Sequence, residues 1–236
     1  MDLPSTFKFQ GWDIRYSLKR GLTSNPNQPP PKCVVFVHGT PWSSDVFRPV
    51  IQALLAKTSY RILVYDLPGY GQSQEYDPAN NSHISVKGFQ GDTSVKFQAA
   101  ALTELLQHVQ LDGKDGNTAP AIIAHDIAGT IVLRAHLLHG CEFDTMMLLD
   151  TNTVLPWGDG FYKLVRSEPE VFLQLPPGIF EAVVWAVIRS ACHNPQEDSL
   201  ARPWIGSAEQ QRSFVRQIAQ ADDGDVAEML EGDMYA

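Results

Sequence analysis

Four short apolar runs set the limits on what this chain can fold into. They are "CVVFV" (Cys33–Val37), "YRILVYD" (ending at Asp66), "APAIIAHD" (ending at Asp126) and "TMMLLD" (Thr145–Asp150). Each is continuous rather than alternating. A strand that is apolar on both faces needs cover on both, which is the pattern of a parallel sheet flanked by helices. The segments between the runs supply those helices. "DVFRPVIQALLAKT" follows Ser43 and Ser44, either of which suits an N-cap. "SVKFQAAALTELLQHVQL" puts Val95, Ala99, Leu102, Leu106 and Val109 on one helical face. "AGTIVLRAHLLHG" runs to a stop at Gly140. Strand and helix alternate as far as Asp150, so the expected class is α/β with a mostly parallel sheet. Upstream, "TFKFQGWDIRYSLKRG" reads as a hairpin around Gly11, followed by the Pro-rich loop "SNPNQPPPK". Residues 75–94 are polar and turn-rich and read as a surface loop.

Right-handed crossovers bring the C-terminal ends of parallel strands to one edge of the sheet. His38, Asp66, Asp126 and Asp150 all stand at or just past strand ends, so they are expected to gather there. From Thr151 the pattern changes to helical pieces broken by Pro and Gly, with no strand. "GIFEAVVWAVIRSA" is the most apolar of them and the one expected to pack over something. The expected division is a core over residues 1–150 and a helical region over 151–236.

The balance of charges narrows the partners. A net charge of −9, without a basic stripe, repels phosphate and argues against nucleic acid. Cys33, Cys141 and Cys192 are odd in number and lack metal-ligand spacing, so they read as buried apolar residues of a reducing compartment, with no metal or cofactor called for. The N-terminus lacks a basic stretch leading into an apolar one, and no run approaches the roughly eighteen apolar residues of a membrane span. The expectation is a soluble, cytoplasmic protein with a small-molecule substrate.

"IIAHDIAGT" (Ile122–Thr130) carries the chemistry. It puts an aspartate at the tip of a buried strand, with Ala124, Ala128 and Gly129 small enough to let strand and helix approach. The helix that follows offers free N–H groups and partial positive charge, which favour a carboxylate there. Asp126 is therefore either a nucleophile held on a sharp turn or a helix N-cap. "VFVHGTPWSS", "YDLPGYGQS" and "IIAHDIAGT" come in the order and spacing of the α/β-hydrolase superfamily, whose nucleophile occupies this turn. The "HGTP" and "HD" pair resembles the epoxide hydrolase and haloalkane dehalogenase branch.

That resemblance implies an α/β-hydrolase core with residues 151–236 as a helical cap, and a two-step reaction. Asp126 would attack a carbon bearing a halide or an epoxide oxygen, and a histidine-activated water would hydrolyse the resulting alkyl ester, the expected target being an ester, epoxide or carbon–halogen bond. Backbone N–H groups of Ile127 and of Thr40 or Trp42 would bind the developing negative charge. His38 would shape that loop, His125 would point away, Asp66 would order its own loop, and Asp150 is a candidate for the acid that orients the base. The chain departs from the branch in several places. Ile127 follows the nucleophile where dehalogenases usually have Trp, Thr40 stands where they often have Asn, and Tyr162 and Tyr235 are the tyrosines available to an epoxide site. Trp157, Trp185 and Trp204 read as cap packing. Two late strands and a Gly-His pair of the superfamily are not found before "EMLEGDMYA", and His193 is the one histidine after Asp150. The expected sheet is thus C-terminally shortened, with an exposed edge open to self-association. Two alternatives to a hydrolase follow: a non-catalytic protein that binds a ligand or partner, and a lyase or isomerase using the same pocket.

Overall fold

The structure, a computed structural model, describes residues 1–20, 31–57, 60–80, 85–191 and 197–231. Most of the Pro-rich loop, with Cys192, His193 and Tyr235, lies outside the described residues. Six strands form one sheet in the order β1 (Ser5–Phe9), β2 (Trp12–Arg20), β4 (Arg61–Tyr65), β3 (Cys33–Val37), β7 (Ala121–His125) and β8 (Thr145–Leu149). The first two make the expected hairpin, closing at Phe9↔Trp12, and β2 continues antiparallel to β4. The four apolar runs form one parallel block, with Val34 beside Ile62 on one side and Ala121 on the other.

Strand β3 is the first of the block, yet it sits between β4 and β7, so the chain order reverses there. In open α/β sheets ligands bind beyond the strand ends at such a switch point. The loops leaving β3 and β7 carry "HGTP" and Asp126, so the topology itself brings these two segments together.

Burial alternates along the central strands. Val34, Phe36, Ile62 and Val64 pack on one face with Phe47 and Ile51, which lies on α1 (Arg48–Lys57). Val35, Val37, Leu63 and Tyr65 pack on the other with Leu102, Leu106, Ile131 and Val132 from α2 (Val95–His108) and α3 (Ala128–Leu137). Ser43 caps the turn before α1, and Ser94 accepts from Phe97 N–H to cap α2. Cys33 and Cys141 are buried free thiols, as expected.

Two expectations need correction. "TMMLLD" has the composition of a fully covered strand, but β8 pairs only with β7, and Met147, Leu148 and Leu149 are 50%, 38% and 40% exposed. An apolar run does not encode a strand's place in the sheet, and an edge place removes the cover. The loop of residues 75–94 also contains a small hairpin, β5 (Ser85–Val86) with β6 (Phe89–Gln90), and Phe89 is buried in the main apolar cluster.

After β8 the described residues are helical: α4 (Gly160–Ser167), α5 (Pro169–Leu173), α6 (Pro177–Ala191), α7 (Glu197–Ala201), α8 (Ala208–Ala219) and α9 (Asp223–Leu230). Phe180, Val184 and Ile188 bury one stripe of α6 in the same apolar cluster as α2 and α3, together with Trp204 and Phe214. Helix α8 is tied to the sheet's loops by polar groups. Gln217 donates to Gly69 O at 2.6 Å, and Gln220 Oε1 accepts from Thr93 N–H at 2.6 Å. Buried Arg134 on α3 meets Glu228 of α9 at 2.6 Å. No helix among the described residues is long and apolar enough to cross a membrane, and no three of their His, Cys, Asp and Glu side chains are placed to hold a metal ion.

Candidate active site

The turn after β7 holds Asp126 at φ +57°, a left-handed conformation that a side chain seldom adopts and that often marks functional turns. Its backbone is fixed on both sides: Asp126 N–H donates to Leu149 O at 3.1 Å, and its carbonyl accepts from Gly129 N–H at 3.1 Å and Asn152 N–H at 3.2 Å. Two glycines make this packing possible. A Cβ on Gly39 would stand 2.5 Å from both Cβ and Oδ2 of Asp126 and 2.7 Å from His125 O, and one on Gly129 would stand 2.4 Å from Thr151 Cβ.

The carboxylate is held at both oxygens. Thr40 N–H donates to Oδ2 at 2.8 Å, the Ile127 N–H lies against the same carboxyl group, and Asn152 Nδ2 donates to Oδ1. Asp126 touches the cavity over part of its surface while protein surrounds it elsewhere. Burial raises its pKa above the ordinary carboxylate value, opposed by the N–H groups of Ile127 and Thr40, by the nearby His125 and by Asn152. The cavity above it has a volume of about 50 Å³ and is lined by Thr40, Ile127, Asn152, Trp157, Tyr162 and Ile218, among others. Tyr162 is partly buried there, and this raises its phenol pKa and keeps it a hydrogen-bond donor.

The sequence-derived candidates divide. Asp126, Thr40 and Ile127 come together as one anion-binding constellation. His38 does not reach the cavity: it is fully buried, its Nδ1 bonds Gly39 O at 2.9 Å, and its Nε2 accepts from Leu67 N–H at 3.0 Å. Both ring nitrogens are used, and burial lowers its pKa, so it is a neutral brace for the loop. Asp66 orders its surroundings by accepting from Ser44 N–H and Gln72 N–H, each at 2.7 Å. Trp42 is buried beside His125 at a ring separation of 6.4 Å, and its N–H bonds Gly39 O, so Thr40 is the donor of that pair. Trp42, His125 and Asp150 do not line the cavity, and Asp150 is exposed at φ +46°.

Asn152 was not legible as a site residue. It stands two positions beyond a strand expected to be buried, and only the pairing of β8 with β7 brings it over Asp126. Trp157 packs as expected and also lines the cavity, where Arg166 braces it by donating to its carbonyl at 2.8 Å. Gln217, Ile218 and Ala221 close the cavity from the helical region, at positions that no local pattern marks.

Comparisons with known proteins agree with this fold. The structure is similar to an alpha/beta hydrolase fold protein from Burkholderia ambifaria, at 29% identity and a TM-score of 0.79, covering 97% of this chain and 75% of that one. It is similar in fold to a thermophilic esterase from Thermogutta terrifontis, at 17% identity and a TM-score of 0.60, over 93% of this chain and 72% of that one. The ancestral haloalkane dehalogenase AncHLD2 shares 15% identity at a TM-score of 0.63, over 96% and 74% of the two chains. A search of curated proteins finds no match. Residues 34–232 match the Alpha/beta hydrolase family across the switch point, the Asp126 turn and the helices above it. The chain belongs to the alpha/beta hydrolase family.

Proposed function

We propose that the protein is a hydrolase of small, rather apolar electrophiles, with Asp126 as nucleophile and epoxides, alkyl halides or esters as the substrate class. The observation that carries this reading is the placement of Asp126 at the edge of a cavity with apolar walls, with Oδ2 on the Thr40 N–H and the Ile127 N–H against the same carboxyl group. Oδ1 attacks the substrate carbon, a carbon–oxygen bond forms, and the halide, the epoxide oxygen or, at the alkyl carbon of an ester, the carboxylate leaves with the bonding pair. An epoxide oxygen takes its proton from a donor in the cavity, for which the phenol of Tyr162 is available. Water then adds to Cγ of the Asp126 ester and gives up a proton to solvent, and the developing charge falls on Oδ2, which already accepts from the Thr40 N–H. The Cγ–Oδ1 bond then breaks, so that the alcohol leaves and takes up a proton, which restores the carboxylate.

The second step is the slower one for this chain. Neither His38 nor His125 lines the cavity, and a positioned general base contributes about 10²–10⁴-fold in rate. The residues above the Asp126 turn, from Trp157 to Ala221, serve as the cap that excludes water. The test measures epoxide loss, halide release and ester cleavage across a panel of small substrates, for the wild type and Asp126→Asn. The reading expects at least one wild-type reaction that the variant loses. Equal rates in the two proteins would contradict it.

One observation favours a second reading, a ligand-binding protein without turnover. Both carboxylate oxygens already accept hydrogen bonds, and Asn152 occupies the one that would attack. On this reading small apolar ligands bind with equal affinity to the wild type and Asp126→Asn, and no product forms with either.

A further inference from the structure

A second cavity lies on another face of α8 and shares no lining residue with the first. It has a volume of about 430 Å³ and is bounded by the β6 hairpin and by Glu209, Arg212, Ser213 and Arg216, which follow one face of the helix. Arg216 is only 9% exposed. Its guanidinium lies 4.8 Å from the Trp12 ring centre, one terminal nitrogen donates to Ser213 Oγ at 2.7 Å, and the other reaches Gln90 O at 3.3 Å. These contacts fix the fork, but its buried Nε has no hydrogen-bond partner. One turn earlier, exposed Arg212 sits 5.8 Å from the centre of the Phe89 ring. Among the described residues, neither guanidinium takes part in an ion pair.

Glu209 attracts Arg216 from the same face without pairing to it, so the arrangement remains costly. A buried cation is normally paired, because the interior does not repay its lost hydration. Like charges one helical turn apart add repulsion. Burial, with Arg212 adding to it, lowers the Arg216 pKa to about 10, so the group is still a cation at neutral pH. A planar guanidinium is also well shaped for a carboxylate or phosphate. Glu209, exposed on the same face, limits the net positive charge and disfavours a polyanion.

We propose that this cavity binds a small organic anion, with its carboxylate or phosphate oxygens on Arg216 and Arg212 and its apolar body against Phe89. The site is independent of the chemistry assigned to Asp126.

The test is calorimetric titration of the whole chain with benzoate and, separately, with inorganic phosphate at matched ionic strength. Wild type, Arg212→Gln and Arg216→Lys are compared, with thermal melts as a fold control. Saturable binding of benzoate alone identifies a carboxylate site, and binding of phosphate identifies a phosphate site. In either case Arg212→Gln, a surface change that leaves the melt in place, weakens binding at least about tenfold. Arg216→Lys weakens it as well, by replacing the fork with a point charge. Absence of saturable binding to both probes overturns the proposal, and so does binding that Arg212→Gln leaves unchanged.

Discussion

Gly39→Ala is the smallest change that addresses the Asp126 site without touching a polar group. The added Cβ would stand 2.5 Å from Cβ and Oδ2 of Asp126 and 2.7 Å from the His125 carbonyl oxygen. Non-bonded carbons settle at about 3.5–4.0 Å, so the two segments must part by about 1 Å. The His125 side of the contact is stiff, because it ends a strand paired to β3 and β8. The loop of Gly39 and Thr40 must therefore move, drawing the Thr40 N–H away from an oxygen it now reaches at 2.8 Å. Overpacking of this kind costs about 1–3 kcal/mol. For a chain of 236 residues that lowers Tm by roughly 2–12 °C. A misplacement of about 1 Å at a reacting group costs roughly 10²-fold in rate. Thermal melts and the rate of Asp126 alkylation measure both effects. A Gly39→Ala protein with wild-type Tm and wild-type alkylation rate would refute the packing argument and the role given to the Thr40 N–H.

Three further outcomes follow. The rate of Asp126 alkylation falls as pH drops, with a midpoint above the ordinary aspartate value of about 3.9, since burial raises the pKa and only the carboxylate attacks; a midpoint at or below that value counts against it. The same shift means that the group's contribution to stability is present at low pH and is lost as pH rises through the raised folded-state pKa. Asn152→Ala removes a donor that lowers this pKa, so the midpoint moves further up, and an unchanged pH profile would show that the contact has no electrostatic role. Leu148→Lys places a charge on the apolar edge strand, and sedimentation over a range of protein concentrations is expected to show less self-association than in the wild type; a wild type that stays monomeric throughout would contradict this.

The sheet was legible because each of its parallel strands is written as a local apolar run, and the crossover rule then orders the strand ends. Asp126 was legible for the same reason, since strand end, small residues and helix start are adjacent in sequence. The run of β8 by itself read as covered, because composition reports hydrophobicity and not a strand's neighbours, and the exposed edge was expected only through the resemblance. Asn152 depends on strand pairing, and Tyr162 with Gln217 and Ile218 on how the later helices settle over the sheet. Arg216 looks like any surface residue of an amphipathic helix until Trp12 and the β6 hairpin close over it.

On the function proposed above, Asp126 forms a covalent ester with substrate. Peptide mass spectrometry after incubation with small epoxides and alkyl halides tests it most directly. An added mass is expected on the peptide carrying Asp126, located to that side chain, persisting because ester hydrolysis is slow, and absent from Asp126→Asn. A folded wild-type protein that turns over or binds these compounds while Asp126 stays unmodified would contradict it.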